Sequence, residues 1–516
     1  MSDLQTIVFG KQSITIEDVN ALALRQANVK LNDAPDYIDS IEKSVAFLER
    51  LLKEDGDIYG VTTGYGDSCS IKIPSHLVEA LPLQLTRFHG CGLGKFFNQQ
   101  ESRAIIAARL ASLAIGKSGV SGELLSGLVH LLNYDVLPRI PEEGSVGASG
   151  DLTPLSYLAA ALIGEREVMH NGEVVSSLQA LQLTGMKPIV LRPKEGLALM
   201  NGTAVMTALA CINWSRANYI AEMATRITAM TTLAMQGNAF HYDERLHVVK
   251  PHPGQMLCAK RLREDLAATK PPRNSERLQD RYSLRCAPHV IGVLQDTLTW
   301  ARQLIEIELN SANDNPIIDA DNEMVLHGGH FYGGHIAMAM DSVKTAVANV
   351  ADLLDRQLAQ LCDYKFNNGL PYNLTGGADD IIAICHGFKA VQIGASAWTA
   401  EALKNTMPAS VFSRSTESHN QDKVSMGTIA SRDCRRVIEL TEQVTAACLF
   451  ASVQGIELRE RQGQLEPASM SDAIKQTIKE VREFSPFLTS DRPLDNELRQ
   501  CVTMIAEHKF TGYSHD

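Results

Sequence analysis

From Val347 onward the apolar residues fall at Val350, Leu354, Leu358 and Leu361, spacings of three and four that lay one stripe along a helix. The spacing recurs at Val437, Leu440, Val444 and Cys448, in a segment running to about Val453, and at Ile106, Leu110 and Leu113 within Glu101 to Ile115. Alanine is abundant in these stretches, which favours helix. Strand-like alternation is sparse, at Thr6 to Phe9, Glu173 to Val175 and Ile189 to Leu191. The pattern predicts a mainly α fold. Its centre is a long helical bundle, joined to a smaller N-terminal part with glycine-rich loops and minor β structure.

A chain of 516 residues, 45% hydrophobic and 21% charged, can bury a large core. Length alone suggests about three units, yet no glycine/serine tract, proline-rich spacer or block of like charge marks a linker. The expected division is 1–205 for the part with the glycine loops, 206–484 for the long-helix bundle and 485–516 for a C-terminal appendage. A net charge of −12 without a Lys/Arg stripe argues against nucleic acid as the main partner. The start, Met1-Ser2-Asp3-Leu4-Gln5, lacks the basic flank and apolar run of a signal peptide. Leu155 to Ile163 falls far short of the ~20 residues that span a bilayer. These features lead to the expectation of a soluble, cytoplasmic protein with no membrane partner. The ten cysteines are scattered without CxxC, as expected of buried thiols.

One stretch invites a chemical reading: Gly144-Ser-Val-Gly-Ala-Ser-Gly-Asp-Leu-Thr-Pro-Leu-Ser156. Its plain reading is a glycine loop leading into a helix capped by Asp151 or Thr153. Its other reading is backbone cyclisation. Gly150 has no Cβ to block a tight bend, so its amide nitrogen can reach the Ala148 carbonyl. Ser149 can lose water from Cβ. The product would be a methylidene-imidazolone with an electron-poor methylene, made without external cofactor.

This stretch resembles the signature of the aromatic amino acid ammonia-lyase and aminomutase family, which includes histidine, phenylalanine and tyrosine ammonia-lyases. The resemblance takes in Tyr59-Gly-Val-Thr-Thr-Gly-Tyr-Gly66, Glu195-Gly-Leu-Ala-Leu-Met-Asn-Gly-Thr203, Gln279-Asp-Arg-Tyr-Ser-Leu-Arg-Cys286, Asn313-Asp-Asn-Pro316 and Asn420-Gln-Asp-Lys-Val-Ser-Met426. It implies a 4-methylidene-imidazole-5-one (MIO) formed from Ala148, Ser149 and Gly150, to which the substrate amine adds. It implies Tyr59 as the base that removes the β-proton. Because a phenol ordinarily titrates near ~10, the expectation is a site that lowers this value.

By the same resemblance Arg285 holds the substrate carboxylate, while Tyr282 and Asn201 contact the prosthetic ring. Asn315 lies near the ring and carboxylate, and Gly66, Gln279 and Phe331 belong to the substrate space. Read alone, Tyr59 is first a core-packing loop tyrosine, while Arg285 could be a surface ion pair and Asn315 equally a turn residue. The family also implies a homotetramer whose active sites mix residues from several subunits.

Phe88-His89 matches the family's two-residue selectivity position. There, Phe-Leu accompanies phenylalanine, His-Leu tyrosine, and Ser-His histidine and some tyrosine enzymes, so this pair is a hybrid. His89 could bond a phenol hydroxyl beside the apolar wall of Phe88, or merely satisfy a neighbouring backbone group. Gln421 stands where histidine-specific members carry glutamate and tyrosine or phenylalanine lyases carry glutamine. The sequence thus points first to tyrosine giving p-coumarate, with phenylalanine giving cinnamate next. Histidine giving urocanate and tyrosine 2,3-aminomutase chemistry are the alternatives. An inactive structural homologue would have lost Tyr59, Ser149 or Arg285, and all three are present. Gln84, His289 and His330 depart from the family's usual residues. His327, His330 and His335 lack the fixed carboxylate of a metal motif, so no metal is expected.

Overall fold

A computed structural model of the chain describes residues 4–54, 56–266, 278–377, 381–467 and 470–513. Helices dominate, among them Gln99–Leu113, Ala204–Ala234, Ala287–Leu309, Gly334–Cys362 and Gly427–Arg461. The strands among the described residues are few and short: Gln5–Phe9 runs parallel to Ala27–Leu31, and three small antiparallel sheets hold the others. The mainly α expectation holds. No helix among the described residues is long and apolar enough to cross a membrane.

The chain divides into two compact units, each assembled from separated stretches. The first comprises residues 1–215, 302–341 and 408–432; the second comprises 216–301, 342–407 and 433–516.

In the first unit the Gln99–Leu113 helix opens on a capping box. The Asn98 side chain accepts the Glu101 N–H at 2.9 Å, and Glu101 returns to the Asn98 N–H at 2.8 Å. From Glu101 to Leu113 every residue of this helix is buried, including Arg103 and Arg109. Burial on all faces is the mark of a central helix, with roughly 1.5–3 kcal/mol for each fully buried Ile or Leu.

Thr6–Phe9 lies in the first strand and Glu173–Val175 in the strand Glu173–Ser176. Ile189–Leu191 forms no strand. Ile189 and Leu191 are buried around an 87%-exposed Val190, but the segment has no neighbouring strand and Ile189 N–H donates instead to Leu162 O of the first unit. Alternation there records a loop lying on a core.

In the second unit Val347, Val350, Leu354, Leu358 and Leu361 are buried, as are Val437, Leu440, Val444, Cys448 and Val453. The periodic stripes are therefore the core itself. Arg459 is fully buried and donates to the Ala234 and Asn367 carbonyls at 2.7 and 2.6 Å. Near the C-terminus Cys501, Ile505 and Phe510 are buried, and the Tyr219 hydroxyl donates to Phe510 O. All ten cysteines are free; seven are buried, whereas Cys69 and Cys91 are exposed.

Candidate active site

Asp151 stands at the N-terminal boundary of the Leu152–Leu162 helix but makes no side-chain cap there. Its carboxylate reaches across the first unit and accepts the N–H groups of Val205 and Met206, both at 3.0 Å. A buried anion at the start of the Ala204–Ala234 helix meets orphan donors and the positive end of the helix dipole. Ser145 and Thr428 hydroxyls donate to its other oxygen. The expected cap of the Leu152–Leu162 helix is therefore absent, and the carboxylate serves instead a helix more than fifty residues away. Burial pushes the Asp151 carboxyl up, and these four donors oppose that rise.

The loop before Asp151 is bent at consecutive residues, Ser149 at φ +49° and Gly150 at φ +76°. A serine in the left-handed region costs about 1–3 kcal/mol that the surroundings must offset. Gly150 has no room for anything larger, since a Cβ would come within 2.1 Å of Gly202 O. The two chains run side by side there. Gly202 N–H donates to Ser149 O at 3.1 Å, and Asp151 N–H donates to Gly202 O at 2.8 Å. On the opposite flank Met426 N–H donates to Val146 O at 3.1 Å.

Ala148 and Ser149 line a cavity of about 320 Å³ together with Tyr59, Gly66, Asn315, Phe331 and Gln421. An adjoining space of about 360 Å³ shares Tyr59, Ser149 and Gln421 and adds Phe88, His89 and Glu417. All of these belong to the first unit. Gly150 and Asn201 are buried and are not among the lining residues of either space. Asn201 Nδ2 donates to Asn315 O at 2.8 Å and to Asp314 at 2.9 Å. The Asn315 side chain accepts the Gly328 N–H at 2.8 Å.

The Tyr59 hydroxyl oxygen accepts the Gly66 N–H at 2.8 Å. That donor favours the phenolate, but burial outweighs it and pushes the phenol up, with the negative charge of Glu417 adding to the rise. The expected lowering is therefore corrected. Among the described residues no cation counts among the causes of this shift.

His89 Nδ1 stands 3.1 Å from Leu85 O. A carbonyl only accepts, so Nδ1 carries the proton and Nε2 remains an acceptor in the neutral ring. Burial holds this imidazole below its ordinary range. Phe88 packs against it with ring centroids 4.2 Å apart and is itself 60% exposed. Gln421 Oε1 accepts the Thr416 hydroxyl at 2.8 Å, which commits the amide oxygen.

Gln279, Tyr282 and Arg285 belong to the second unit. Gln279 is exposed and Tyr282 is 71% exposed. Arg285 stacks its guanidinium 4.5 Å from the Tyr282 ring and uses Nε on Asp280 O at 2.9 Å. Its terminal nitrogens make no hydrogen bond or ion pair among the described residues.

Sequence reasoning missed Glu417, whose carboxylate borders the cavity four residues before Gln421. That spacing on the approach to the Asn420–Met426 motif is the available signal. It also missed a buried charge cluster beneath Asn201. Lys194 and Asp314 form an ion pair with both side chains fully buried, and Lys194 sits at φ +78°. Among the described residues no group of three or more His, Cys, Asp or Glu side chains could hold a metal ion.

The aromatic amino acid lyase family profile matches residues 14–483. Histidine ammonia-lyase of Gloeobacter violaceus is 38% identical over 96% of this chain and 95% of its own length. Histidine ammonia-lyase of Bacillus velezensis is 36% identical over 93% and 92%. Among solved structures, tyrosine aminomutase from Streptomyces globisporus superposes with a TM-score of 0.90 at 34% identity, covering 98% of this chain and 97% of that one. Histidine ammonia-lyase from Trypanosoma cruzi gives 0.88 at 29%, covering 98% and 94%. A profile match along nine-tenths of the sequence, joined to such identities, means that this chain belongs to the aromatic amino acid lyase family of carbon–nitrogen lyases.

Proposed function

We propose that this chain eliminates ammonia from an aromatic L-amino acid, with histidine the first candidate and tyrosine the second. The observation that carries the elimination is the doubly bent Ser149-Gly150 turn, lying in the wall of a cavity that also holds Tyr59.

The residues fit an MIO group formed from Ala148, Ser149 and Gly150. The backbone is already folded back, Gly150 tolerates no side chain, and the Ser149 carbonyl oxygen, which would stay on the ring, has a donor in Gly202 N–H. Such a group supplies an electrophilic methylene that turns the substrate nitrogen into a leaving group.

The chain's own residues do the rest. Tyr59, as phenolate, takes the β-proton at its oxygen, and Gly66 N–H stabilises the charge. Because burial raises this phenol, turnover should rise with pH. Asn201 and Asn315 hold the cavity wall through their shared hydrogen bond. Arg285, with its terminal nitrogens uncommitted, binds the substrate carboxylate beside Tyr282 and Gln279. In the homotetramer that the family resemblance implies, these three would reach the cavity of another subunit.

The relatives at 36–38% identity are histidine ammonia-lyases, which supports histidine over the tyrosine first suggested by the motif positions. The negative Glu417 at the cavity edge suits an imidazole N–H. Gln421 and the likeness to a tyrosine aminomutase support tyrosine, with either lyase or mutase outcome.

The test is product analysis with histidine, tyrosine and phenylalanine in parallel, following urocanate, p-coumarate, cinnamate and β-tyrosine. Urocanate as the fastest product upholds the first reading, and p-coumarate or β-tyrosine replaces it with the second. No product from any of the three defeats the proposal.

A further inference from the structure

Arg109 is fully buried, and no carboxylate lies within ion-pair distance of it among the described residues. Leaving a cation in that state is expensive. The charged and polar groups around it are few. Lys194 adds a second positive charge nearby, Asp314 is already paired to Lys194, and Asp151 is engaged by four donors. Glu308 is reached through Asn313, whose Nδ2 donates to the Thr203 hydroxyl at 2.8 Å, and Thr203, whose hydroxyl donates to Glu308 at 2.5 Å. Arg109 Nη1 donates to Asn201 O at 3.2 Å and to Asn313 Oδ1 at 3.3 Å, Nη2 donates to Ser112 Oγ at 3.4 Å, and Nε has no partner among the described residues.

The Asn201 carbonyl belongs to the same peptide group as the Gly202 N–H, and that N–H donates to Ser149 O at 3.1 Å. The guanidinium thus pulls on one end of a peptide dipole whose other end is aimed at the tripeptide. Hydrogen bonds linked in series polarise one another, and a low-dielectric interior strengthens the effect. Close approach is built in, since a Cβ at Gly202 would come within 2.1 Å of Arg109 Nη1.

We infer that Arg109 is a positioning residue that acts through the Asn201–Gly202 peptide to draw electron density toward Ser149 O, making the tripeptide-derived electrophile more reactive. The inference rests on the reading of Ala148-Ser149-Gly150 as a cyclised group. In that closure Gly150 N bonds to the Ala148 carbonyl carbon, and the Ala148 oxygen leaves as water with the amide hydrogens of Ser149 and Gly150. The Ser149 hydroxyl then leaves with its Cα hydrogen as a second water. Ser149 O stays, conjugated to the new methylene, so a stronger donor at that oxygen makes the methylene more electron-poor.

The experiment uses the full chain as wild type, R109M and R109K, first weighed intact for the loss of two waters and then exposed to cyanide. Cyanide attack on the methylene is read as mass gain against time, without substrate. We expect R109M to show the two-water loss but to add cyanide about ten- to a hundred-fold more slowly, with kcat lowered in parallel and KM little changed. R109K should recover most of both rates at neutral pH and lose them at alkaline pH, where a buried lysine gives up its proton earlier than arginine. A merely structural role would produce no such alkaline limb.

Dehydrated R109M that adds cyanide at the wild-type rate overturns the inference. If R109M does not fold, R109K decides alone: the alkaline limb supports the role of the charge, and a wild-type profile overturns it. Absence of the two-water loss from wild type itself is a different result, which removes the cyclised group and this inference with it.

Discussion

Glu417 grips the backbone N–H of Asp67 with both carboxylate oxygens, at 2.8 and 3.0 Å. A Cβ added to the neighbouring Gly66 would lie 2.3 Å from the same carboxylate. The acid therefore pins the loop that supplies the donor to Tyr59, and its charge raises the Tyr59 phenol. In E417Q the charge goes while the shape stays. The rising limb of the kcat/KM–pH profile should move to lower pH, because phenolate then forms more readily. A limb that stays in place or moves to higher pH would count against Tyr59 as the base.

Gly150→Ala tests the bend in the tripeptide. The added methyl meets backbone rather than a side chain that could swing away, and φ +76° is itself unfavourable for alanine. The variant should fold with its loop displaced, retain the unmodified mass and lose turnover by orders of magnitude. Intact mass spectrometry reads the first two outcomes apart from activity.

The Lys194–Asp314 pair makes a stability prediction. Removing one partner strands the other charge in the interior, so K194M should cost about 3–5 kcal/mol. Removing both, in K194M/D314N, should cost less than the sum of the single changes, because neither member of the pair is then left as a stranded charge. Urea unfolding of the three variants measures the coupling. Additive losses would mean that the two side chains do not act as a pair.

His508 makes the pH prediction for the second unit. Burial of its ring, with Arg216 adding repulsion, lowers its pKa to about 4, although the residue as a whole is exposed; the ring stacks on Tyr219 at 4.3 Å. The unfolded chain takes up this proton near ~6.5, the folded chain only near 4. Stability is therefore complete above the higher value and falls as pH drops through the interval. H508Q should flatten the fall, as followed by thermal unfolding between pH 7 and pH 4. A decline as steep as wild type would show that His508 does not contribute.

Several of these relationships could be read before any fold was known. The three-and-four spacing from Val347 to Leu361 is legible because a buried stripe and a helical turn share one period. The glycines at 147, 150 and 202 are legible as loop residues, but not the reason for them: a Cβ would meet Ser425 Oγ at Gly147, the Gly202 carbonyl at Gly150 and Arg109 Nη1 at Gly202. Asp151 shows why capping is only half readable. Sequence names a good acceptor and nearby donors, while the donors it uses lie at Val205 and Met206.

Tyr59 went the other way because desolvation depends on everything packed around the hydroxyl, and no local pattern encodes that sum. Arg109 was invisible for a similar reason. It interrupts an apolar helix as a surface residue would, and only burial on every side reveals it as interior.

The carboxylate of Asp151 ties two distant stretches of chain, at Thr428 and the start of the Ala204–Ala234 helix, to the turn that follows Gly147, with Ser145 of the same loop as a further donor. Anyone hoping to graft the proposed Ala-Ser-Gly chemistry onto an unrelated scaffold would thus need more than a borrowed hairpin. The transplant must bring its anchors, or it will relax into an ordinary flexible peptide that never ages into an electrophile.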